Sequence, residues 1–211
     1  MSATMSSTPL QPAARRAGVP VAIVLAAWLA AVLILGANGA FAAPRGTPPL
    51  ALLIGFAAPI VSSVLAFRLS ARFRAWVLAI EPRTLVSVQA WRFGGLGFVA
   101  LYAYGILPGF FAWPAGLGDM AIGATAPWVL SRLTASSAFL SSRAFVRWNL
   151  LGLLDLFVAV SLGAIGGFLA SDEAVTTAPM AALPLVLIPA FLVPLFIVMH
   201  FALLAQARRA A

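Results

Sequence analysis

Residues 18–37 read GVPVAIVLAAWLAAVLILGA, twenty consecutive residues without a charged side chain. A helix needs about 20 mainly apolar residues to cross the hydrocarbon core of a bilayer, so this stretch predicts a membrane-spanning helix. The whole chain has the same character: 63% of its 211 residues are hydrophobic, 9% are charged, and the mean hydropathy is +1.06. Soluble domains contain about a quarter charged residues. The sequence therefore predicts an all-α integral membrane protein.

Five more apolar stretches of similar length follow the first one. Turn-forming pairs such as Asn38-Gly39, Pro48-Pro49 and Pro108-Gly109 separate several of them. We expect a six-helix transmembrane domain over 18–205, preceded by a disordered cytoplasmic tail, 1–17, and followed by a short tail, 206–211. The six predicted spans are 18–37, 50–69, 84–106, 109–132, 144–170 and 183–205.

The first span could instead belong to a cleaved signal peptide, because Ala40-Phe41-Ala42 resembles a small-residue cleavage site. Signal peptides have an apolar region of about 7–15 residues. The first apolar run is longer than that, which favours an uncleaved span.

Arginine placement predicts the orientation of the bundle. Loops on the cytoplasmic side of a membrane carry an excess of basic residues. With a cytoplasmic N-terminus, only Arg45 falls on the outer side, together with Asp172 and Glu173. The inner side then holds Arg15, Arg16, Arg68, Arg72, Arg74, Arg83, Arg132, Arg143, Arg147, Arg208 and Arg209. We therefore expect both termini to be cytoplasmic.

The net charge of +8 has the anionic lipid headgroups of the cytoplasmic face as its expected partner. A nucleic-acid partner is not expected, because no basic stripe or stacking platform accompanies the charge. All 13 basic residues are arginines, and Ala, Gly and Pro are abundant. This usage indicates a GC-rich bacterial genome, which predicts the bacterial cytoplasmic (inner) membrane as the location.

A short amphipathic segment is predicted at 70–83, on the inner leaflet. Its apolar side chains recur at helical spacing, whereas its charged side chains lie off that stripe. The stripe consists of Phe73, Trp76, Val77 and Ile80. The alternative is a solvated connector with an aromatic anchor.

Three parallel helical hairpins are a further hypothesis. Pro59, Pro127 and Pro194 recur at spacings of 68 and 67 residues, and Ile54-Gly55 with Ala58-Pro59 matches Ile122-Gly123 with Ala126-Pro127. Internal repeats are common in transporters, in which the substrate site lies at the repeat interface. Prolines and small residues also recur in unrelated membrane helices, so both interpretations stay open.

Missing residue types exclude whole classes of chemistry within this chain. Without Cys it has no disulfide, thiolate metal site or Cys nucleophile. Without Lys it has no Schiff base and no P-loop lysine. His200 is the only histidine, which excludes a multi-His metal site. We therefore expect no cofactor and no metal, and enzymatic activity is the less expected outcome.

Three charges lie deep within the predicted spans: Arg92, Asp119 and Asp155. A charge at the bilayer centre costs at least about 2.5–3.5 kcal/mol on insertion scales, so such residues are default candidates for function. Their depths allow Arg92 to pair with one of the two aspartates. The other carboxyl would then be free to carry a proton.

Other polar residues extend this set into a candidate substrate or ion pathway. Arg92 is expected to share a helical face with Gln89 and Tyr102, and Asp155 to share one with Arg147. Asn149 and His200 lie nearer the inner end. The full candidate set is Gln89, Arg92, Tyr102, Asp119, Arg147, Asn149, Asp155 and His200. The alternative is that a buried Arg–Asp pair only fixes helix register.

Gly116-Leu117-Gly118-Asp119 resembles the GxGD motif of the intramembrane aspartyl proteases, the presenilin and type IV prepilin peptidase families. In those families two membrane-embedded aspartates activate water, so the resemblance implies a catalytic dyad of Asp119 and Asp155. The order departs from the family pattern, because the GxGD aspartate follows its partner in those chains and precedes it here.

Three functions follow from these residues. The first is a small proton-linked carrier or permease that uses Arg92, Asp119 and Asp155, with Arg92 holding an anionic group or counter-ion. The second is a non-catalytic structural or assembly subunit of a larger membrane complex, because loops are short and no soluble domain is visible. A membrane-protein partner or a homo-oligomer would then be expected. The third is an intramembrane aspartyl protease.

Overall fold

A computed structural model describes residues 12–44, 46–168 and 175–211, and these residues form helices and turns without a strand. A 3₁₀ segment, Ala90–Gly95, joins α4 to α5, and a π-helical turn, Ile188–Leu192, leads into α8. The α-helices are α1 Pro12–Ala37, α2 Leu50–Leu69, α3 Ala71–Ala79, α4 Pro82–Gln89, α5 Leu96–Ala103, α6 Gly109–Ala135, α7 Arg143–Phe168 and α8 Val193–Ala210. The all-α prediction is confirmed for the described residues.

Among the residues that the structure describes, five helical stretches are long and apolar enough to cross a membrane, which is compatible with a multi-pass membrane protein. They are Val19–Ala37, Leu50–Leu69, Pro82–Ala103, Arg143–Gly166 and Ile188–Ala210. The third of these is composite, because α4, the 3₁₀ segment and α5 run on from one another. Helix α6 has 27 residues but is less apolar, since it carries Asp119, Arg132 and two prolines.

Several helix ends differ from those predicted. Helix α1 begins at Pro12, within the predicted tail 1–17, whose first eleven residues lie outside the described ones. Helix α8 continues to Ala210, through most of the predicted tail 206–211. At its other end, residues 183–186 form turns, so the predicted start at 183 comes too early. The predicted end of the fifth span, 169–170, lies outside the described residues.

The segment predicted as one amphipathic helix over 70–83 is instead divided between α3, Ala71–Ala79, and the first residues of α4, with a break at 80–81. The Ser70 hydroxyl caps α3 by accepting a hydrogen bond from the Phe73 amide at 3.2 Å. A proline disfavours helical backbone in the residue before it, and Glu81, which precedes Pro82, is extended. The apolar stripe predicted for a lipid surface packs instead against the protein core, with Val77 buried.

The bundle has two distinct ends. The loop end comprises residues 38–44 and 46–49, the connection 104–108 and the residues from 175 to 182. The opposite end, which we call the arginine end, comprises α3, the connection 136–142 and the C-terminal part of α8. Exposed arginines gather on this second end: Arg68, Arg72, Arg74, Arg83, Arg132, Arg143, Arg147, Arg208 and Arg209.

A tight apolar core closes the arginine end. Val86, Val129, Phe145 and Leu203 have no exposed surface, and they come from α4, α6, α7 and α8. The Gln206 side-chain amide ties α8 to the end of α3 by donating to the carbonyl oxygens of Val77, within α3, and Ile80, directly after it, both at 2.9 Å. The four helices and α3 therefore converge here, whereas the loop end is less tightly filled.

Candidate functional site

A stripe with a three-residue period positions Arg92. Along the composite span, the side chains of Val86, Gln89, Arg92 and Phe98 are buried, as is Gly95. In a 3₁₀ helix, residues three apart lie directly above one another. The 3₁₀ segment therefore brings Arg92 and Gly95 onto one line that faces the neighbouring helix α6.

Glycines allow the 3₁₀ segment to touch α6 at the backbone. A Cβ added to Gly95 would lie 2.9 Å from the carbonyl oxygen of Gly116, and one added to Gly116 would lie 2.9 Å from that of Gly95. A Cβ on Gly123 would lie 2.9 Å from the carbonyl carbon of Arg92. Real Cβ atoms do not come so close, so these positions require glycine.

Arg92 binds both deep carboxylates at once. Its Nε donates to Oδ1 of Asp119 at 2.7 Å, and its Nη2 donates to Oδ2 of Asp155. The Arg92 side chain has no exposed surface, and the side chains of Asp119 and Asp155 are 15% and 14% exposed. The prediction that one carboxyl would be left over is wrong, because the guanidinium has several N–H donors and two of its nitrogens each bind one aspartate.

The third guanidinium nitrogen faces α7 and α8. Nη1 of Arg92 donates to the carbonyl oxygen of Gly152 at 3.4 Å and lies 3.1 Å from Nε2 of His200. A Cβ on Gly152 would lie 2.5 Å from Cε1 of His200, so glycine at this position makes room for the imidazole. The guanidinium also lies 5.9 Å from the ring centroid of Phe196, a cation–π distance.

The Arg92 contact determines which nitrogen of His200 carries hydrogen. A guanidinium has only donors, so Nε2 of His200 accepts and carries no proton. Nδ1 then donates to Oδ1 of Asn149 at 2.9 Å. Asn149 completes the chain by donating from Nδ2 to the Phe145 carbonyl oxygen, also at 2.9 Å. His200 is therefore neutral, with its proton on Nδ1.

With both aspartates ionised, the cluster carries one formal negative charge. Arg92 contributes one positive charge, Asp119 and Asp155 contribute two negative charges, and neutral His200 contributes none. An uncompensated charge in a low-dielectric interior is costly. The arrangement is therefore suited to take up one proton or one monovalent cation.

A cavity of about 150 Å³ leads from the loop end to this cluster. Asp119 is its only charged lining residue among the residues that the structure describes. Apolar side chains from α2, α5, α6, α7 and the start of α8 form most of the wall, for example those of Phe56, Phe98, Phe111, Leu156, Val160 and Val193. One carboxylate of the cluster thus borders open space, and Arg92 is not among the lining residues.

The structure brings five of the eight predicted pathway residues into one network: Arg92, Asp119, Asn149, Asp155 and His200. Gln89 lies one turn before Arg92 and is fully buried, with both amide atoms unpartnered among the described residues.

Tyr102 and Arg147 lie apart from the network. Tyr102 is 43% exposed and packs edge-on against Trp113. It is exposed because the 3₁₀ segment shifts the buried face of the span away from the side on which Tyr102 lies. Arg147 is exposed at the arginine end, because α7 turns Trp148, Asn149 and Gly152 inward. The face predicted for Asp155, which included Arg147, is therefore the wrong one.

The GxGD glycines have a packing role that the sequence reasoning did not recognise. Gly116 meets the 3₁₀ segment, and a Cβ on Gly118 would overlap the Asp155 carboxylate. In this arrangement Arg92 lies between the two aspartates. Gly152, Phe196 and Trp148, which packs edge-on against His200, were also missed. The signal for Gly152 was its spacing, three residues after Asn149 and three before Asp155.

Comparison with known proteins places the site inside a family domain. No curated protein and no solved structure matches the chain. A family profile described as a domain of unknown function, DUF8737, matches residues 49–208, about three quarters of the chain. These residues include α2 through nearly all of α8 and every residue of the charged network. The chain therefore belongs to the DUF8737 family.

Proposed function

We propose that this protein is a small proton-linked carrier of the bacterial cytoplasmic membrane, with Arg92, Asp119 and Asp155 at its centre. The observation that carries the proposal is the cavity that ends on a carboxylate of a buried network with a net charge of −1. A carrier needs access from one side, a binding group at the end of that access and a closed opposite side. The cavity, Asp119 and the core at the arginine end supply these three parts.

The proposed topology has six spans with both termini in the cytoplasm. In this topology α6 is a span in addition to the five apolar stretches, because it is long enough to cross and packs against α5 and α7. Its carboxylate is paired with Arg92. The exposed arginines at one end support that end as the cytoplasmic one. The threefold hairpin repeat stays a prediction.

The proposed cycle exchanges the partner of Asp119. When Asp119 takes up a proton or a cationic solute, its hold on Arg92 weakens, and Asp155, His200 and Gly152 keep the guanidinium in place. The bundle would then close at the loop end and open at the arginine end. The expected moving parts are the composite span, with its 3₁₀ segment, and the π-helical turn that leads into α8. Departures from α-helical geometry of this kind often mark hinges.

Cysteine accessibility tests the cavity, and the chain has no native cysteine to remove. Ala159→Cys and Val160→Cys place thiols in the cavity wall on α7, and both should react with a small water-soluble thiol reagent. Leu151→Cys on the same helix is the matched control, since it is 58% exposed outside the cavity and faces lipid in the proposed topology. Absence of labelling at both cavity positions in folded protein would overturn the carrier proposal.

The role of subunit in a larger complex is the second candidate, and the surface of α2 favours it. No residue of α2 is buried, so most of that helix is free to contact lipid or another protein. Purification in mild detergent tests this candidate, because a stoichiometric partner should copurify with the chain.

The protease proposal predicts that Asp119→Asn abolishes processing of a membrane substrate. Unaltered processing would reject that proposal. The carrier remains the better-supported function, since each aspartate binds Arg92 rather than the other aspartate.

A further inference from the structure

The wall of the cavity indicates the chemistry of its ligand. Phe98, Phe111, Leu156, Val160 and Val193 surround the space, and the described polar groups are few. Burying apolar surface against such a wall is favourable, whereas a strongly hydrated solute would lose its water without replacement. The solute is therefore mainly apolar.

Charge determines the sign of the polar group on that solute. Asp119 presents a carboxylate to the cavity, while Arg92 is fully buried behind it and occupied by both aspartates, the Gly152 carbonyl and His200. An anionic ligand would meet a like charge without reaching the guanidinium. A single positive charge would neutralise the cluster, so the geometry argues against the anionic group that the sequence had suggested for Arg92.

An apolar groove adjoins the cavity on its outer side. It runs between the start of α2 and the end of α7 and is lined by Pro48, Pro49, Leu53, Ala164 and Ile165. Three of these residues, Pro49, Leu53 and Ala164, also line the cavity, so the two spaces adjoin. Ile165 is 49% exposed on the outer surface of α7. In the proposed topology, the groove therefore lies where a molecule dissolved in the bilayer would approach the cavity.

We propose that the cavity binds a small lipophilic monovalent cation, such as an organic amine in its charged form, which enters from the bilayer between α2 and α7. The proposal rests on the carrier function and names its substrate class and its route. An apolar cavity of about 150 Å³ holds a molecule of the size of benzene, so benzylamine is a suitable probe.

Three probes of similar shape and different charge test the substrate class. Binding of benzylamine, benzyl alcohol and benzoate is measured by ligand-observed NMR at one fixed detergent concentration. Benzylamine should bind best, and Asp119→Asn should weaken it at least tenfold while leaving benzyl alcohol within about twofold. Equal binding of benzoate and benzylamine, or no effect of Asp119→Asn on benzylamine, would overturn the substrate class.

A second variant keeps this test valid if Asp119→Asn folds poorly. Val160→Trp should fill the cavity and abolish benzylamine binding without touching the charged network. Leu151→Trp, on the lipid-facing side of the same helix, should leave binding unchanged. Benzylamine binding that survives Val160→Trp would show that the cavity is not the binding site.

The route is tested with a cation that is long enough to occupy the groove. The alkyl tail of decylammonium should extend between α2 and α7 while its head group meets Asp119. Ile165→Trp lies in the groove but not in the cavity wall, so it should weaken decylammonium several-fold more than benzylamine. Equal effects on the two amines would reject the groove as the entrance.

Failure of this inference can be told from failure of the carrier function. If the cavity cysteines on α7 are labelled but no amine binds, the substrate class is wrong and the carrier stands. If no amine binds and the cysteines are also unreactive, both fail.

Discussion

Arg92 is the residue on which the charged network depends. It makes hydrogen bonds to α6, α7 and α8 from three nitrogen atoms. A planar guanidinium can do this because its donors diverge in one plane. Lysine could supply the charge but not the geometry, so the network is specific for arginine.

Replacement of Arg92 should leave two buried carboxylates without a counter-charge. Removing one partner of a buried pair costs about 3–5 kcal/mol, so Arg92→Met should lower the free energy of unfolding in detergent by that order. Additional Asp119→Asn and Asp155→Asn substitutions should restore most of the loss, because no charge then remains to be compensated. Arg147→Met, at an exposed position of α7, is the control. An Arg92→Met protein as stable as wild type would contradict the pairing.

The tautomer of His200 is a second prediction at the residue scale. Because Nε2 accepts from Arg92, nitrogen NMR of ¹⁵N-histidine-labelled protein should show hydrogen on Nδ1 and none on Nε2. His200 is the only histidine, so a protein carrying a histidine-free affinity tag gives the signals of this residue alone. Detection of hydrogen on Nε2 would show that the contact with Arg92 is not a hydrogen bond.

The composite span decides which side chains face α6. Its 3₁₀ segment changes the period from 3.6 to 3.0 residues, which lines up Gln89, Arg92 and Gly95. Glycines on both helices then let the backbones touch. The exact placement of Arg92 between Asp119 and Asp155 is thus a consequence of local helix geometry and of missing side chains.

Substitution of glycines by alanine should distinguish two effects on stability, the steric cost of a new methyl group at a helix contact and the gain in helix propensity. In Gly123→Ala the new methyl group would overlap the backbone at Phe93, which cannot move aside cheaply. We expect a loss of about 1–3 kcal/mol in stability, as for other overpacked cores. Gly97→Ala is the matched control on α5, since no atom lies within 4 Å of its added Cβ.

Thermal unfolding in detergent measures both glycine variants. Alanine favours helices over glycine by up to about 1 kcal/mol, so Gly97→Ala should be neutral or slightly stabilising. Equal unfolding temperatures for the two variants would mean that the 3₁₀ segment does not touch α6.

The whole molecule separates its charges by position. The exposed arginines within the described part of the chain occupy one end, the network lies between the two ends, and the cavity opens at the loop end. Each location has a physical reason: surface arginines can reach lipid headgroups, whereas the central charges are matched to one another. This separation supports a carrier with one accessible face.

The crossing of α6 is testable with three single-cysteine variants and a membrane-impermeant maleimide. In intact cells Asn38→Cys and Tyr104→Cys should react, because both are exposed at the loop end. Ser137→Cys follows α6 at the arginine end and should react only after the cells are permeabilised. Reaction of Tyr104→Cys and Ser137→Cys from the same side would show that α6 does not cross.

The sequence by itself determined the all-α class, most of the long apolar segments and the identity of the deep charges. These properties could be predicted because a bilayer imposes a rule on each segment separately. A segment that crosses it must be apolar, long enough, and able to form its backbone hydrogen bonds within itself. The absence of cysteine and lysine excluded disulfides, thiolate metal sites and Schiff bases, because these need a residue type that the chain lacks.

Only the tertiary structure decided how the charges meet. Residue spacing placed Tyr102 and Arg147 with the deep charges, but the 3₁₀ segment and the inward face of α7 removed them. The prediction from residue spacing also left one aspartate unpaired, whereas in the structure Arg92 binds both aspartates. Helical periodicity reports which residues share a face only while the helix stays regular. Contacts between helices depend on glycines that let two backbones approach closely. The sequence of one helix does not show where the glycines of the other helix will meet it.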